Sequence, residues 1–272
     1  MNTRAIRAIV GKDLKVAVQN KGVVMPIVIV PLILFVVFPW IMAYVPSWAD
    51  VSGSSFSNVE EMLERMPAGL LTELSGYSLD QQIVVFILVY MLAPMFLILP
   101  LMVSSVLAAD SFAGEKERKT LEALLYTPTT DRELFTAKLL GPWVTAIVVA
   151  LLSFALYSVM VNAAAWHSIG RVFFPNWMWV ALVFWVTPAV AGLGLVVMVF
   201  VSARAQGFQD AYQIGGMVVL PVILLMVGQI SGVLYFSLGV VLLVGLVIWM
   251  IDLVLLWFAS KSFRRGELMT KF

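Results

Sequence analysis

The longest apolar run in the sequence covers residues 214–260 and contains one charged residue, Asp252. As a single helix, these 47 residues would be about 70 Å long, over twice the roughly 30 Å of a bilayer's hydrocarbon core. The run must therefore fold back, and small and polar residues cluster at residues 231–239. We predict two membrane spans here, a fifth over Ile214–Ile230 and a sixth over Leu238–Phe258.

Four further apolar runs are long enough to cross a membrane as helices. They are Val23–Tyr44, Ile83–Ala109, Leu139–Val161 and Trp177–Val201. Prolines inside the first two, such as Pro31, Pro94 and Pro100, predict bends. Composition agrees, because 62% of the residues are hydrophobic, against roughly 45–50% in soluble proteins. The sequence predicts one domain, residues 1–272, with an all-α fold: a polytopic membrane bundle of six transmembrane helices.

The basic residues are segregated along the chain. Fifteen of the 17 lysines and arginines lie in the N-terminal tail, the links after the second and fourth spans, and the C-terminal tail. Cytoplasmic loops of membrane proteins carry an excess of lysine and arginine. We therefore predict that both termini are cytoplasmic, and the even number of spans agrees with this orientation.

The N-terminal residues, 1–21, have the pattern of an amphipathic helix. One helical stripe is apolar, and the basic residues lie largely on other faces. The stripe consists of Ile6, Ile9, Val10 and Leu14. Helices of this kind lie along membrane surfaces, so we predict an interfacial helix before the first span.

The link between the first two spans, residues 45–80, is acidic, with six acidic residues against Arg65 alone. Ser57 and Glu60 match a capping box, and apolar residues follow at helical spacing until Pro67. We predict a short amphipathic helix, or a pair of helices, on the outer face. It either gates an exit path or only covers the bundle.

The link between the second and third spans, residues 110–137, is hereafter the charged segment. Its first part carries an apolar leucine patch, and Glu115 precedes Lys119 by four residues, the order that favours a helical ion pair. In its second part, Thr130 and Glu133 form a capping-box pattern that begins the next helix. We predict a short helix held crosswise between two spans. It either transmits force from a docked soluble domain or lies passively among the lipid headgroups.

The charged segment also carries a family resemblance. Residues 114–128 read Gly-Glu-Lys-Glu-Arg-Lys-Thr-Leu-Glu-Ala-Leu-Leu-Tyr-Thr-Pro, and Arg132-Glu-Leu and Lys138 follow. This pattern resembles the signature of type-two ABC exporter permeases, the ABC-2 family, and the layout of the whole chain is similar. Many members have glycine where this chain has Lys119.

In that family, the segment forms a coupling helix that sits in a groove of the ATP-hydrolysing subunit. The resemblance implies that nine positions of this chain face the ATPase or couple to it. They are Glu115, Glu117, Thr120, Leu121, Glu122, Leu124, Leu125, Thr127 and Pro128.

Two polar residues inside the last two predicted spans are candidates for a pathway or a conformational latch. A carboxylate in lipid costs roughly 2.5–3.5 kcal/mol on insertion scales, so Asp252 should face the bundle or a wet cavity. It either contacts a substrate or ion, acts as a latch, or is a protonated or hydrogen-bonded structural acid. Gln229 either lines a pathway or bonds to a neighbouring helix.

Several classes of function lack the residues that they need. The sequence has no Gly-x-x-x-x-Gly-Lys-Ser/Thr pattern for ATP. It has no cysteine, and His167 is its single histidine, which argues against a metal site. Neither a serine–histidine nor a two-aspartate arrangement occurs within the spans, and no basic stripe suits nucleic acid. We expect no catalytic residue, metal or cofactor on this chain.

The resemblance implies a permease subunit of an ATP-driven exporter in the cell membrane. ATP and magnesium would be bound by a separate ABC ATPase subunit. Two permease chains, identical or homologous, would enclose the pathway within the lipid. The apolar spans suggest a hydrophobic or amphiphilic cargo. The alternative is a non-transporting membrane scaffold or sensor that docks the same ATPase.

Overall fold

The computed structural model describes residues 3–48, 68–119, 130–231 and 233–262. No strand occurs among these residues. Six helices in this part of the chain are long and apolar enough to cross a membrane, which confirms the predicted bundle of six transmembrane helices. We number them spans 1 to 6, in order: Lys21–Tyr44, Leu79–Glu117, Glu133–Ala164, Trp177–Arg204, Phe208–Gln229 and Leu238–Ala259.

Several spans consist of consecutive α, π and 3-10 segments. Span 1 and its extension comprise Lys21–Leu32, π segment Ile33–Val37 and Phe38–Trp48. Span 2 comprises Leu79–Val85, π segment Phe86–Met91, Leu92–Phe96, Ile98–Ala109, π segment Asp110–Gly114 and Glu115–Glu117. Span 4 comprises Trp177–Ala181, π segment Leu182–Val186 and Thr187–Arg204. Span 5 comprises Phe208–Gly215, 3-10 segment Gly216–Val219 and Leu220–Ile230.

Spans 3 and 6 are each part of one continuous α-helix, Asp131–Ala164 and Leu238–Ser262. Three further helices in the described part of the chain lie outside the spans: the N-terminal helix Thr3–Gln19, Ala68–Leu74 and Trp166–Ile169. Ala68–Leu74 lies in the acidic link and begins after Pro67, where the predicted amphipathic helix ends. The capping-box pattern of Ser57 and Glu60 lies outside the described residues.

The bundle has two ends. At the proximal end, the N-terminal helix, the charged segment and the link after span 4 meet through side-chain contacts. At the distal end, the start of span 2 meets the link after span 3, where Gln81 Nε2 donates to the Ser168 carbonyl at 2.8 Å. The proximal end is the one predicted to be cytoplasmic.

The apolar stripe of the N-terminal helix packs against protein. Ile9 is buried, and it forms a small cluster with Leu134 and Ala137 at the start of span 3. Ile6 and Val10 pack against the same cluster. The stripe predicted from the sequence therefore joins the N-terminal helix to span 3, and the placement of this helix on a membrane surface stays a prediction.

Prolines explain three of the π segments. Proline has no N–H, and its ring clashes with the carbonyl of the residue four positions earlier. In each case that earlier residue lies inside a π segment, where the wider turn accommodates the clash. The pairs are Phe35 with Pro39, Tyr90 with Pro94, and Phe184 with Pro188.

The first π segment of span 2, Phe86–Met91, accepts hydrogen bonds from three other spans. Three consecutive carbonyls there accept hydrogen bonds from side chains of spans 3, 4 and 5. The donors are the Tyr157 hydroxyl to Leu88, Trp179 Nε1 to Val89 at 2.7 Å, and Gln229 Nε2 to Tyr90 at 2.6 Å. Because unpaired buried carbonyls are costly, these bonds hold span 2 at the centre of the bundle.

Span 4 packs on span 2 at unusually short range. A Cβ atom on Gly194 would lie 2.6 Å from Ser104 Oγ and 2.8 Å from the carbonyl oxygen of Leu101. The backbone carbonyl cannot move away, so this crossing requires glycine at position 194. Small residues at helix crossings serve the same purpose in other membrane bundles.

Some boundaries differ from the sequence prediction. Span 2 continues to Glu117, beyond the predicted end at Ala109, as the excess length of its apolar run suggested. The span 5 helix begins at Phe208, whereas Ile214 was the predicted start. The link between spans 4 and 5 is correspondingly short, and residues of the charged segment hold it, as described next.

Candidate coupling site

The described part of the charged segment is an extension of span 2. The helix continues through Asp110–Gly114 and ends with Glu115–Glu117. Lys119 then has a φ of 56°, in the left-handed region. The helix therefore ends before Lys119, and the predicted helical ion pair between Glu115 and Lys119 lacks the continuous helix that it needs.

Glu115 lies at the centre of a buried ionic network. It is only 4% exposed, and its two carboxylate oxygens contact two different lysines. Lys12 of the N-terminal helix donates to Oε1, and Lys138 of span 3 donates to Oε2 at 2.5 Å. Lys138 is fully buried and also donates to the Ser111 carbonyl at 2.6 Å. One carboxylate thus joins the N-terminal helix, span 2 and span 3.

The network extends through two aspartates. Asp13 accepts a hydrogen bond from Ser111 Oγ at 2.7 Å, and its Oδ2 lies 3.8 Å from Lys138 Nζ. Asp110 accepts from Asn20 Nδ2 at 3.2 Å and from Arg118 at 3.1 Å. Both aspartates therefore connect the N-terminal helix, or the residue that follows it, to the end of span 2.

Lys12 is held in its charged form by this network. Burial lowers the pKa of Lys12, but hydrogen bonds and charge attraction from Glu115 and Asp13 outweigh the burial and raise it above the ordinary 10.5. A raised lysine pKa stabilises the folded state below the unfolded-state pKa, and this contribution is lost as pH rises through the folded-state value. The lysine contribution is therefore complete at neutral pH.

Lys116 and Glu117 hold the link between spans 4 and 5. Lys116 Nζ donates to the Ala205 carbonyl at 3.2 Å, just after the end of span 4. Glu117 Oε2 accepts from the backbone N–H of Phe208 at 2.9 Å, at the first residue of span 5. A carboxylate at a helix N-terminus satisfies a free N–H and complements the helix dipole. Glu117 therefore supplies the side-chain cap that Gly207, the residue at the N-cap position of span 5, lacks.

The second part of the charged segment begins the span 3 helix as predicted. Thr130 Oγ1 accepts from the backbone N–H of Glu133 at 3.3 Å, and Glu133 Oε2 accepts from the backbone N–H of Thr130 at 3.1 Å. This reciprocal pair confirms the capping box. The helix then runs without interruption from Asp131 to Ala164.

The sequence analysis missed the contacts that close this site. Lys12 is 103 positions from Glu115 along the chain, and Phe208 is 91 positions from Glu117. Helical periodicity reports only neighbours within one or two turns. One residue could have indicated this site from the sequence. Lys138 lies next to the predicted start of span 3, and a lysine that is buried there needs an acidic partner.

A comparison with protein-family models gives a match over most of the chain. The model described as ABC-2 family transporter protein matches residues 7–257. This chain belongs to the ABC-2 transporter family. Neither the comparison with curated proteins nor that with solved structures gives a match. Members of the family are multi-pass membrane transport subunits, and membership implies association with an ABC ATPase.

The ABC-2 assignment bears on Lys119. Left-handed backbone favours glycine, the residue that many family members are expected to have here. Lys119 adopts this conformation without glycine's freedom.

Two of the nine coupling positions carried over from the ABC-2 resemblance are described by the structure. Glu115 is buried between two lysines, so its carboxylate faces the chain's own helices, and Glu117 caps span 5. The other seven lie outside the described residues: Thr120, Leu121, Glu122, Leu124, Leu125, Thr127 and Pro128. The coupling role of all nine stays a prediction.

Asp252 of this ABC-2 chain lies inside the bundle, on span 6. It is 1% exposed, and both carboxylate oxygens are buried with no hydrogen-bond partner among the described residues. A Cβ atom on Gly192 of span 4 would lie 2.7 Å from Asp252 Oδ2, so glycine leaves the room that the carboxylate occupies. Its role as a pathway contact or a latch stays a prediction.

Gln229 bonds to a neighbouring helix, which is one of the two alternatives given for it. Its Nε2 donates to Tyr90, while its Oε1 is buried without a partner among the described residues. It also borders a cavity of about 220 Å³ between spans 1, 2 and 5. Methionines dominate the lining: Met42, Met91, Met95 and Met226. A pathway role for Gln229 stays a prediction.

Proposed function

We propose that this ABC-2 chain is the permease subunit of an ATP-driven exporter in the cell membrane. The observation that carries the proposal is the position of Glu115, Lys116 and Glu117. Their side chains join the charged segment to the N-terminal helix, span 3 and the link between spans 4 and 5. The sequence has no P-loop, so a separate ABC ATPase supplies the hydrolysis, with ATP and magnesium bound there.

In this proposal, residues 120–128 dock on the ATPase, and the helix end at residues 115–117 transmits its movement. The Glu115 network is buried and charged, so it resists local distortion and moves as a unit with the N-terminal helix and span 3. The contacts of Lys116 and Glu117 pass the same displacement to the start of span 5. Closure of the ATPase on ATP therefore displaces the start of span 5 and tilts that span.

Span 5 is suited to this movement. Many of its large apolar side chains are exposed, including Met217, Leu224 and Val227, so few packing contacts within this chain oppose a tilt. In the assembled exporter, a second permease chain or membrane lipid covers these side chains. Two permease chains with two ATPase subunits would enclose the pathway between them.

The test uses inverted membrane vesicles that contain the chain and the ABC ATPase that co-purifies with it. We expect ATP-dependent accumulation of a hydrophobic or amphiphilic dye inside the vesicles, and its loss when the P-loop lysine of the ATPase is replaced. Vesicles that lack this chain are the control. ATPase association without ATP-dependent movement of any such cargo would instead favour the scaffold or sensor function.

A further inference from the structure

A second and larger cavity opens at the distal end of the bundle. Its volume is about 700 Å³, and it lies between helix Ala68–Leu74, span 2 and the first turns of spans 4 and 6. Its lining includes Leu70, Glu73, Tyr90, Trp177, Met178 and Phe236. Pockets for drug-sized ligands have volumes of roughly 300–1,000 Å³, so this cavity can accept a molecule of that class.

The lining carries one carboxylate, on the exposed residue Glu73. Glu73 is the one acidic or basic residue among the described lining residues. Its Oε2 accepts a hydrogen bond from the Tyr90 hydroxyl at 2.5 Å, and Tyr90 is itself only 3% exposed. The Tyr90 carbonyl is in turn held by Gln229 of span 5. The carboxylate is therefore positioned by a buried side chain of the bundle.

Aromatic residues border the same cavity as this carboxylate. Tyr90, Trp177 and Phe236 all border the cavity, and tryptophan has the strongest attraction for a cation above its ring. Arg171, a basic residue at the same end, lies over the Tyr77 ring at 4.6 Å and does not belong to the lining. The cavity thus combines one carboxylate and two uncharged polar residues, Asn176 and Ser237, with aromatic and apolar walls, and no described basic residue lines it.

We propose that the distal cavity binds lipophilic organic cations, with Glu73 as the counter-charge and Trp177 as an aromatic contact. An apolar cation suits both the apolar walls and the Glu73 carboxylate, whereas this carboxylate repels an anion of the same shape. That such cations are the exported cargo rests on the proposed function. Binding itself requires neither ATP nor the ATPase.

The test measures binding of tetraphenylphosphonium to the full chain in lipid nanodiscs, without ATP or ATPase, with empty nanodiscs subtracted. We expect saturable binding that Glu73→Gln weakens on the order of tenfold, because the ionic attraction is removed. Asp80→Asn is the matched control, since Asp80 is an exposed distal carboxylate outside the lining, and it should leave binding unchanged. Tetraphenylborate, which has the same shape and the opposite charge, should compete poorly.

A second variant keeps the proposal testable if Glu73→Gln proves unstable. Trp177 is 79% exposed, so Trp177→Leu should preserve the fold and still weaken binding about threefold through loss of the ring contact. The proposal is wrong if binding is not saturable, if both variants bind like the wild type, or if tetraphenylborate competes equally. Binding without ATP-driven transport would leave the cavity assignment standing and contradict only the exporter function.

Discussion

Replacing Lys138 with methionine is expected to lower the free energy of unfolding by about 3–5 kcal/mol, because it leaves a buried carboxylate without its most buried partner. Lys138 is fully buried and contacts Glu115 at 2.5 Å. Methionine preserves most of the side-chain length, so the loss measures charge and hydrogen bonding more than packing. Lys12 still contacts Glu115 but is itself partly exposed and cannot replace the inner contact.

The measurement is unfolding of the purified chain by SDS in mixed micelles. Lys15→Met is the matched control, because Lys15 is an exposed lysine of the N-terminal helix, and its replacement should change stability by less than about 0.5 kcal/mol. Adding Glu115→Gln to Lys138→Met should recover part of the loss, since the double variant no longer buries an unpaired charge. Equal stability of Lys138→Met and the wild type would show that the network does not hold the proximal end together.

The largest functional effect is expected from Glu117→Ala combined with Leu121→Ala. Leu121 is proposed to bury its side chain in the ATPase, and a fully buried leucine contributes roughly 1.5–3 kcal/mol, which corresponds to about a 10- to 150-fold change in Kd. Glu117 caps span 5, so its loss also breaks the path from the docking residues to that span. The double variant should insert in the membrane, lose most of its co-purified ATPase and lose ATP-driven transport.

The single variants separate the two roles. Leu121→Ala should weaken ATPase binding, whereas Glu117→Ala should keep the ATPase bound and lose transport through the missing cap on Phe208. Glu117→Gln retains an oxygen acceptor and should retain most transport. A double variant that co-purifies the ATPase at the wild-type level, measured against an equal amount of membrane-inserted chain, would exclude this docking surface.

The membrane spans could be predicted from the sequence because the length of an apolar run shows directly whether its helix can cross the hydrocarbon core. Span 6 was predicted as Leu238–Phe258 and is found as Leu238–Ala259, and span 1 gains two residues at its start. The capping box at Thr130 was also predictable, since both of its partners lie within one helical turn. These features depend on neighbouring residues and on a uniform lipid environment.

Features that depend on distant residues could not be predicted. The first six residues of span 5, Phe208–Gln213, include the polar residues Gln209, Asp210 and Gln213. Because of this polarity, the sequence predicted that they belong to the link between spans 4 and 5. In the structure these residues are helical. The N–H of Phe208, their first residue, binds the carboxylate of Glu117, which lies 91 positions earlier in the chain. The Glu115 network also depends on distant residues, because Lys12 and Lys138 come from two other helices. The distal cavity likewise combines residues from four separate elements.

The central claim is that the charged segment is the surface on which an ABC ATPase docks. The chain contains no cysteine, so a single cysteine at Leu124 provides a cross-linking site without background from other thiols. This cysteine is treated in native membranes with a short reagent that joins a thiol to an amine. The account predicts a cross-linked product that contains an ABC ATPase, and the yield of this product should change when ATP is added. A cysteine at Lys15 should give little of it. Cross-links from position 124 to lipid alone, with no ATPase in any product, would contradict the account.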